Sequence, residues 1–166
     1  MNSFNLLHYP DPRLRRKAET ITEITEEIRQ LADDMLYFMY ESQGVGLAAP
    51  QINIQKRLIV IDLSQDRSEA VQLINPVLVQ KSGEQEEEEG CLSVPGHYFK
   101  VKRAKAITVE ALNLKGEAIE IKAEDYYAVA LQHEIDHLDG VLNVDYLSPL
   151  KRQIIDKKIK KLARKT

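Results

Sequence analysis

One segment of the chain has residue types and spacing that suit metal chemistry, His133-Glu134-Ile135-Asp136-His137. On a helix, residues four apart point the same way, so the imidazoles of His133 and His137 can reach one metal ion. Glu134 lies about 100° around such a helix from His133, beside the ion rather than on it. A base that acts on a water molecule would sit there. A lone histidine is more often a packed core residue, but the full spacing favours a metal site.

Two histidines need a third protein ligand if one coordination position is to stay open for catalysis. The metzincin peptidases supply a third histidine, but this chain has Gly140 at the matching glycine position and Asn143 where that histidine would stand. Peptidases of the thermolysin type supply a downstream glutamate instead. The nearest downstream acidic residues here are Asp145 and Asp156. Neither is an obvious ligand, so an upstream ligand is favoured.

Cys91 is the best upstream candidate for the third ligand. It is the single cysteine of the chain, and it lies in the segment EGCLS at residues 89–93. A thiolate binds soft and borderline metals well, and a neighbouring glycine lets the backbone come close to a ligand. A lone cysteine in a glycine-bearing turn is usually structural, but the accompanying histidine pair reverses that expectation.

A third segment, GVGLAAPQ at residues 44–51, has the G-x-G-x-x-A spacing of a dinucleotide-binding loop. That fingerprint needs a preceding strand and a following helix, whereas this segment follows a predicted helix and runs into Pro50. Small residues with exposed backbone amides suit pairing with an extended peptide instead. Gln51 then provides a neutral donor for a developing oxyanion.

Hydrophobic periodicity predicts the helices that position these residues. Apolar residues at three- and four-residue steps indicate a helix over residues 25–42, with Thr25 as N-cap and Gly44 as its stop. A second helix over residues 124–138 carries both histidines. A last helix begins at Ser148, which is followed by proline. Its apolar side is predicted to contain Leu150, Ile154, Ile155, Ile159 and Leu162.

Strands are predicted between the helices. They cover residues 57–63, residues 71–81 with a break at Asn75-Pro76, and a hairpin over residues 105–121. Helices and strands mix without a regular alternation, which indicates an α+β fold. At 166 residues the chain fits one domain, and we predict a single domain over residues 1–166.

Composition is that of an ordinary globular protein, with 43% hydrophobic and 30% charged residues. The chain start lacks a signal-peptide pattern, and no stretch approaches the ~20 apolar residues of a membrane span. One cysteine cannot form an internal disulfide, which fits a reducing compartment. We therefore expect a cytoplasmic protein.

Charge is spread unevenly along the chain. Residues 151–166 contain eight Lys or Arg and one Asp, a net charge of +7, which leaves −10 for the preceding residues of a chain of net charge −3. The predicted C-terminal helix over residues 147–166 is therefore basic and amphipathic. Such a helix suits contact with nucleic acid or an acidic partner, but a solvated helix face is an equal alternative.

The three segments at residues 44–51, 89–93 and 133–137, in this order, together resemble the peptide deformylases. The N-terminal stretch at residues 9–15 and Ile74-Asn75-Pro76 are also similar to that family, so the resemblance covers essentially the whole chain. The basic C-terminal helix resembles the bacterial, type 1 branch. The resemblance implies antiparallel or mixed sheets around a central helix that bears H-E-x-x-H, with an N-terminal and a C-terminal helix.

For the metal site, the resemblance implies that Cys91, His133 and His137 bind one divalent ion, with water in the fourth position. The ion of the family is usually ferrous iron, and zinc, nickel or cobalt can substitute. As a hypothesis, Glu134 accepts the proton of the water and passes it to the leaving amine. The metal, the Gln51 side chain and the Leu92 backbone N–H would stabilise the oxyanion. The products would be formate and a free methionyl amine.

For the substrate, the resemblance implies N-formylmethionyl nascent peptides bound by a monomer, with possible ribosome contact through the C-terminal helix and neither DNA nor membrane as partner. Glu89 and Arg103 resemble the supporting ion pair of the family. Tyr98 stands where some bacterial members have arginine. The residues implied in substrate binding are Val45, Gly46, Gly90, Tyr98, Tyr126, Val129 and Ala130.

Two other functions stay open from the sequence alone. A general metallopeptidase would cleave internal bonds, and the missing third histidine argues against it. A non-catalytic, metal-containing module could bind N-terminal peptides without hydrolysing them. Glu134 and Gln51 argue against that module, because neither is needed to hold a structural metal.

Overall fold

The computed structural model describes residues 3–165, with side chains described up to residue 163. Within this range are three α-helices, α1 (Glu26–Glu41), α2 (Asp125–Leu138) and α3 (Pro149–Lys165). The strands are β1 (Gly46–Ala48), β2 (Leu58–Ile61), β3 (Val71–Ser82), β4 (Gln85–Cys91), β5 (Val94–Arg103), β6 (Ala106–Leu112) and β7 (Ala118–Glu124). Short 3₁₀ turns cover Pro12–Arg15, Ala49–Ile52 and Asn143–Tyr146. This mixture confirms the predicted α+β class.

Five strands form one antiparallel sheet in the order β1-β2-β3-β6-β7, and β4 and β5 form a separate antiparallel pair. α2 packs on one face of the larger sheet, where Ile59 and Ile61 meet Leu131 in a buried cluster. α1 packs against Leu58 and Val60, which point to the other face because side chains alternate along a strand. α2 also contacts β4 and β5. The helix that carries both histidines therefore lies between the two sheets.

α1 begins where the sequence predicts. The Thr25 side chain accepts a hydrogen bond from the Ile28 N–H at 3.3 Å and satisfies one free donor of the first turn. Its end differs by one residue, because Gln43 rather than Gly44 adopts the left-handed conformation, with a φ of 61°. Gly44 packs against Leu92 instead: a Cβ there would lie 2.7 Å from the Leu92 Cδ1, so the Leu92 side chain would have to shift.

The predicted break at Asn75-Pro76 is wrong as a strand end, because β3 continues through it. The disturbance is a bulge, in which the pairing register shifts between Ile74 and Val77 and Asn75 has a φ of 51°. The Asn75 side-chain amide accepts the N–H of Ile21 at 2.9 Å and donates to its C=O at 2.8 Å. These bonds tie the bulge to the N-terminal segment.

Sequence periodicity missed β4 and β5. The acidic run of β4 has no alternating apolar residues, so it carries no strand signal by itself. Pairing with β5 places Lys102 opposite Glu86 and Lys100 opposite Glu88. Cross-strand pairs of opposite charge stabilise an antiparallel ladder. Glu89 points to the other face and is buried.

The apolar side predicted for α3 is correct only in part. Ile155 and Ile159 pack against a buried cluster. Leu150, Ile154 and Leu162 are exposed. The helix therefore uses a narrow stripe for packing and leaves the rest of its surface to solvent.

Ser148 accepts a hydrogen bond from the Lys151 N–H at 3.3 Å, which confirms the predicted N-cap of α3. Thr166 and the side chains of Arg164 and Lys165, which belong to the predicted basic helix, lie outside the described part of the chain. Among the described helices, none has the length and apolar character needed to cross a membrane.

Arg15 and Asp145 join the N-terminal segment to the turn after α2. Two hydrogen bonds of 2.6 and 2.9 Å connect the guanidinium to the carboxylate, and the Leu142 N–H donates to the same carboxylate at 3.0 Å. Burial alone would raise the pKa of Asp145, but the hydrogen bonds from Arg15 and Leu142 hold it below its usual value.

Replacing Asp145 with asparagine should lower the free energy of unfolding at pH 7 by about 1 kcal/mol, because both side chains of the pair are partly exposed. A lowered pKa contributes stability above the pKa of the unfolded chain, and that contribution is lost as the pH falls through the folded pKa. The difference between wild type and Asp145→Asn should therefore shrink below about pH 4. Urea unfolding at pH 7 and at pH 3 measures it. A difference that is unchanged at pH 3 would contradict the assignment.

Candidate active site

α2 places His133 and His137 on one side of the helix, as their spacing predicts. Both side chains are buried, and their Nε2 atoms are 3.3 Å apart. Nitrogen atoms at this separation without an intervening shared proton or ion would repel each other through their lone pairs. The geometry is therefore that of two ligands aimed at one point.

Cys91, at the end of β4, joins the two histidines. Its Sγ lies 3.4 Å from the His137 Nε2, and the three ligand atoms lie within 4.8 Å of one another. Ligands of a tetrahedral ion with bonds of about 2.0–2.3 Å are separated by about 3.3–3.6 Å. Cys91, His133 and His137 therefore fit one such ion and leave a fourth position open.

The downstream acidic alternatives are engaged elsewhere. Asp145 pairs with Arg15, and Asp156 accepts a hydrogen bond from the Tyr9 hydroxyl at 2.8 Å. Asn143, at the position of the metzincin third histidine, is buried, and its side-chain amide has no hydrogen-bond partner among the described residues. The structure thus brings the upstream cysteine, and none of these three residues, into the group with the histidines.

Glu89 orients the His133 ring through the Nδ1 atom of that ring. Its Oε1 lies 2.8 Å from the His133 Nδ1, and Arg103 donates to the two carboxylate oxygens at 2.8 and 2.9 Å. Burial would raise the pKa of Glu89, but the hydrogen bonds from Arg103 and His133 lower it. An ionised carboxylate accepts the Nδ1–H of the ring and leaves Nε2 free to bind a metal.

Two supporting residues were not predicted, Asp136 and Tyr146. Arg103 donates to Asp136 at 2.5 Å, and the Tyr146 hydroxyl donates to the same carboxylate at 2.7 Å. Burial, together with the bond to Asp136, raises the pKa of Tyr146 to about 12, so the phenol stays protonated. Asp136 lies inside the H-E-x-x-H segment, but that pattern leaves its position unspecified, and Tyr146 is ten residues away.

Glu134 lies in the cleft beside the ligand group and is buried. A Cβ on Gly46 would overlap the carboxylate Oε2, so only glycine at that position of β1 allows this approach. The Glu134 Oε1 has no hydrogen-bond partner among the described residues. Burial raises the pKa of Glu134 to about 7. A carboxyl group with this pKa can both accept and donate a proton near neutral pH.

Gln51 and Leu92 lie on two separate loops, next to the group of Cys91, His133 and His137. Gln51 is buried in the 3₁₀ turn after β1, and its Nε2 lies 3.7 Å from the Cys91 Sγ. Leu92 follows Cys91 directly and packs against Gly44. Both predicted oxyanion donors are therefore next to the ligand group.

A cavity of about 400 Å³ is lined by Cys91, Leu92 and Glu134. Of the predicted substrate-binding residues, five line it: Val45, Gly46, Gly90, Tyr98 and Tyr126. Val129 and Ala130 are buried in α2 and do not line it. The sequence did not indicate the remaining lining residues, which include Ser42, Gln43 and residues 94–97. They belong to no motif of the sequence, so only the fold assigns them to the cavity.

β1 is an edge strand of the larger sheet, since it pairs only with β2. An edge strand offers backbone N–H and C=O groups to an extended peptide. On the other side of the cavity, Tyr98 is 70% exposed, and its ring lies against Gly90. The cavity therefore has the shape and backbone groups of a peptide groove.

Replacing Glu89 with alanine should lower the free energy of unfolding by about 3–5 kcal/mol, because the buried Arg103 guanidinium would lose its main counter-charge. Urea unfolding with excess chelator measures this without a contribution from bound metal. Glu88→Ala is a matched control on the exposed face of the same strand and should change stability by less than about 0.5 kcal/mol. Equal losses in the two variants would contradict the importance of the buried pair.

Comparisons with known proteins identify the family of the chain. Residues 3–153 match the family model for polypeptide deformylase. The chain is 53% identical to the peptide deformylase of Hamiltonella defensa over 162 residues, which cover 98% of this chain and 95% of the relative. It is 50% identical to the peptide deformylase of Nitrosococcus oceani, over 99% of this chain and 98% of the relative.

Solved structures give the same result. The crystal structure of a peptide deformylase from Legionella pneumophila has 48% identity and a TM-score of 0.92, covering 97% of this chain and 95% of that one. Peptide deformylase from Ehrlichia chaffeensis in complex with actinonin has 37% identity and a TM-score of 0.93, covering 99% of both chains. These matches favour a deformylase over the metallopeptidase and the non-catalytic module. The chain belongs to the polypeptide deformylase family.

Proposed function

We propose that the chain hydrolyses the formyl amide at the N-terminal formylmethionine of nascent peptides and releases formate. One observation carries this proposal: Cys91, His133 and His137 converge on one point beside a buried carboxylate, Glu134, and an amide donor, Gln51. A structural metal site needs neither of the last two residues. Their presence supports a hydrolytic function.

We propose Cys91, His133 and His137 as the ligands of one divalent ion per chain. The spacing of their ligand atoms supports this assignment. Thiolate and imidazole ligands suit several divalent metals, and we propose ferrous iron as the natural ion, with zinc, nickel or cobalt as substitutes. Such an ion would lower the pKa of a water molecule and polarise the formyl carbonyl.

Glu134, Gln51 and Leu92 have the remaining roles in the proposed mechanism. The Glu134 carboxylate accepts a proton from water as the water oxygen bonds to the formyl carbon, and later donates that proton to the amine nitrogen as the C–N bond breaks. Its near-neutral pKa suits both steps. The Gln51 Nε2–H and the Leu92 backbone N–H donate to the formyl oxygen as that oxygen gains charge. Free methionyl amine and formate leave the site.

The peptide binds as an added strand. Backbone groups of Gly46 on the edge strand, of Val45 just before it, and of Gly90 across the cavity pair with its main chain. The methionine side chain lies beside Val45 and Tyr126, with Val129 and Ala130 behind them in the core. Tyr98 contacts the residues that follow methionine. We further propose that the protein acts as a monomer in the cytoplasm, where nascent chains emerge.

Formate release from a formyl-Met peptide tests the function directly. Anaerobically purified, ferrous-loaded protein should release formate from this peptide, turn over the acetyl-Met peptide little, and cut no internal bond. Absence of formate from folded, metal-loaded protein would contradict the proposal. Internal cuts would instead support a metallopeptidase.

Replacing Glu134 with alanine should lower kcat by about 10²–10⁴-fold, because a positioned acid–base group contributes a factor of this size. The bound metal, measured by elemental analysis, should remain, since Glu134 is not among the proposed ligands. Glu120→Ala, an exposed carboxylate on β7, is the control and should leave kcat unchanged. An active Glu134→Ala enzyme would exclude the proposed role.

We also propose that α3 contacts ribosomal RNA near the emerging chain. Its Lys157, Lys158, Lys160 and Lys161 are exposed, and Asp156 is the single acidic residue in the sequence of this helix. Binding dominated by phosphate contacts weakens steeply as salt increases. The packing of α3 through Ile155 and Ile159 does not involve these lysines.

Replacing these four lysines of α3 with glutamine should weaken ribosome binding and flatten its salt dependence, because phosphate contacts are lost. The matched control replaces four exposed lysines elsewhere, Lys56, Lys81, Lys115 and Lys122. Cosedimentation with ribosomes over a salt series measures both variants. Equal binding by the two variants would leave α3 as a solvated helix.

A further inference from the structure

Ser93 is a fully buried residue next to the proposed oxyanion donors, and none of the roles above includes it. It follows Leu92 in the turn between β4 and β5. Its Oγ accepts a hydrogen bond from the Gln51 Nε2 at 3.0 Å. The neighbouring serine of a metal-binding segment would ordinarily be assigned to the turn itself. Here the Ser93 hydroxyl is hydrogen-bonded to the side chain of Gln51, which lies on another loop.

The orientation of the Gln51 amide is determined by its partners. Its Oε1 lies 2.9 Å from the Ala48 backbone N, which can only donate a hydrogen bond. The oxygen must therefore face Ala48, and the nitrogen must face Ser93 and Cys91. One N–H of that nitrogen is bonded to the Ser93 Oγ, and the other points towards the Cys91 Sγ at 3.7 Å, where the metal ligands converge.

The backbones of both residues are held independently of this side-chain bond. The Leu7 N–H donates to the Gln51 C=O at 2.7 Å, and the Tyr9 N–H donates to the Ser93 C=O at 2.8 Å. One N-terminal segment therefore spans the two loops and sets their separation. Removing the Ser93 hydroxyl should leave this backbone frame intact and change only the aim of the Gln51 amide.

We propose that Ser93 is a positioning residue for Gln51: its Oγ holds one N–H of the amide and thereby directs the other at the oxygen that gains charge during hydrolysis. The inference rests on the proposed deformylase function. Ser93 itself does not touch the reacting atoms. Without its Oγ, the amide nitrogen would have to rotate towards another acceptor or leave a buried N–H unpaired.

The effect of Ser93 should appear in the transition state. An interaction that strengthens only as charge develops changes kcat rather than KM. Loss of one oxyanion donor costs about 10²–10³-fold in kcat, and misdirecting that donor should cost about tenfold, a part of this factor. Ser93→Ala should therefore lower kcat about tenfold with KM nearly unchanged.

A double-mutant cycle on the ferrous-loaded enzyme tests the proposal, with formate release from a formyl-Met peptide as the assay. The four proteins are wild type, Ser93→Ala, Gln51→Ala and the double variant. If Ser93 acts through Gln51, its tenfold effect should fall below about twofold once Gln51 is absent. The same factor in both backgrounds, or no effect of Ser93→Ala on kcat, would overturn the proposal.

Ser148→Ala, which removes the cap of α3, is the control for loss of a structural hydroxyl and should leave kcat unchanged. Thermal unfolding and metal content of each variant separate misfolding from misdirection. If Ser93→Ala does not fold, Ser93→Cys replaces it in the cycle, because a thiol fills the site but accepts hydrogen bonds weakly. Wild-type enzyme that releases no formate would overturn the proposed function and this inference with it. An active wild type with additive variants would overturn this inference alone.

Discussion

The buried ion pair between Glu89 and Arg103 determines how the two sheets meet around α2. Glu89 lies on β4 and Arg103 on β5, and together they reach His133 and Asp136 on the helix. A buried charge without its counter-charge is costly, so the small sheet has one favourable position against α2. Cys91 follows Glu89 by two residues and is carried to the histidines by the same strand. The pairing of β4 with β5 therefore also determines where Cys91 lies relative to the two histidines.

Close backbone approach is the second constraint on the site. Glu134 can lie against β1 because Gly46 has no side chain, and Leu92 can pack against the preceding loop because Gly44 has none. The resulting burial moves the pKa of Glu134 towards neutrality. The same strand is an edge of its sheet, so it both shields the carboxylate and offers backbone groups to a peptide.

The N-terminal segment and α3 are also part of the scaffold. The N-terminal segment bonds to the Gln51 and Ser93 backbones, and the Tyr9 hydroxyl bonds to Asp156 on α3. Loops that carry functional groups are often mobile. Here the N-terminal segment is hydrogen-bonded to two such loops and keeps the amide of Gln51 near the ligand group.

The sequence by itself determined the α+β class, the three helices and the candidate ligands of a metal site. Helical spacing is a local property, so His133 and His137 could be placed on one face and Glu134 beside them without a tertiary structure. The strands β4 and β5 escaped prediction because the charges of the acidic run are balanced only across the pair. Tertiary structure alone decided that Cys91 meets the histidines, that Asp136 and Tyr146 support Arg103, and that Ser93 bonds to Gln51. Each of these contacts joins segments that are distant in the sequence. Periodicity along the chain reflects local structure, so it cannot predict which distant atoms come into contact after folding.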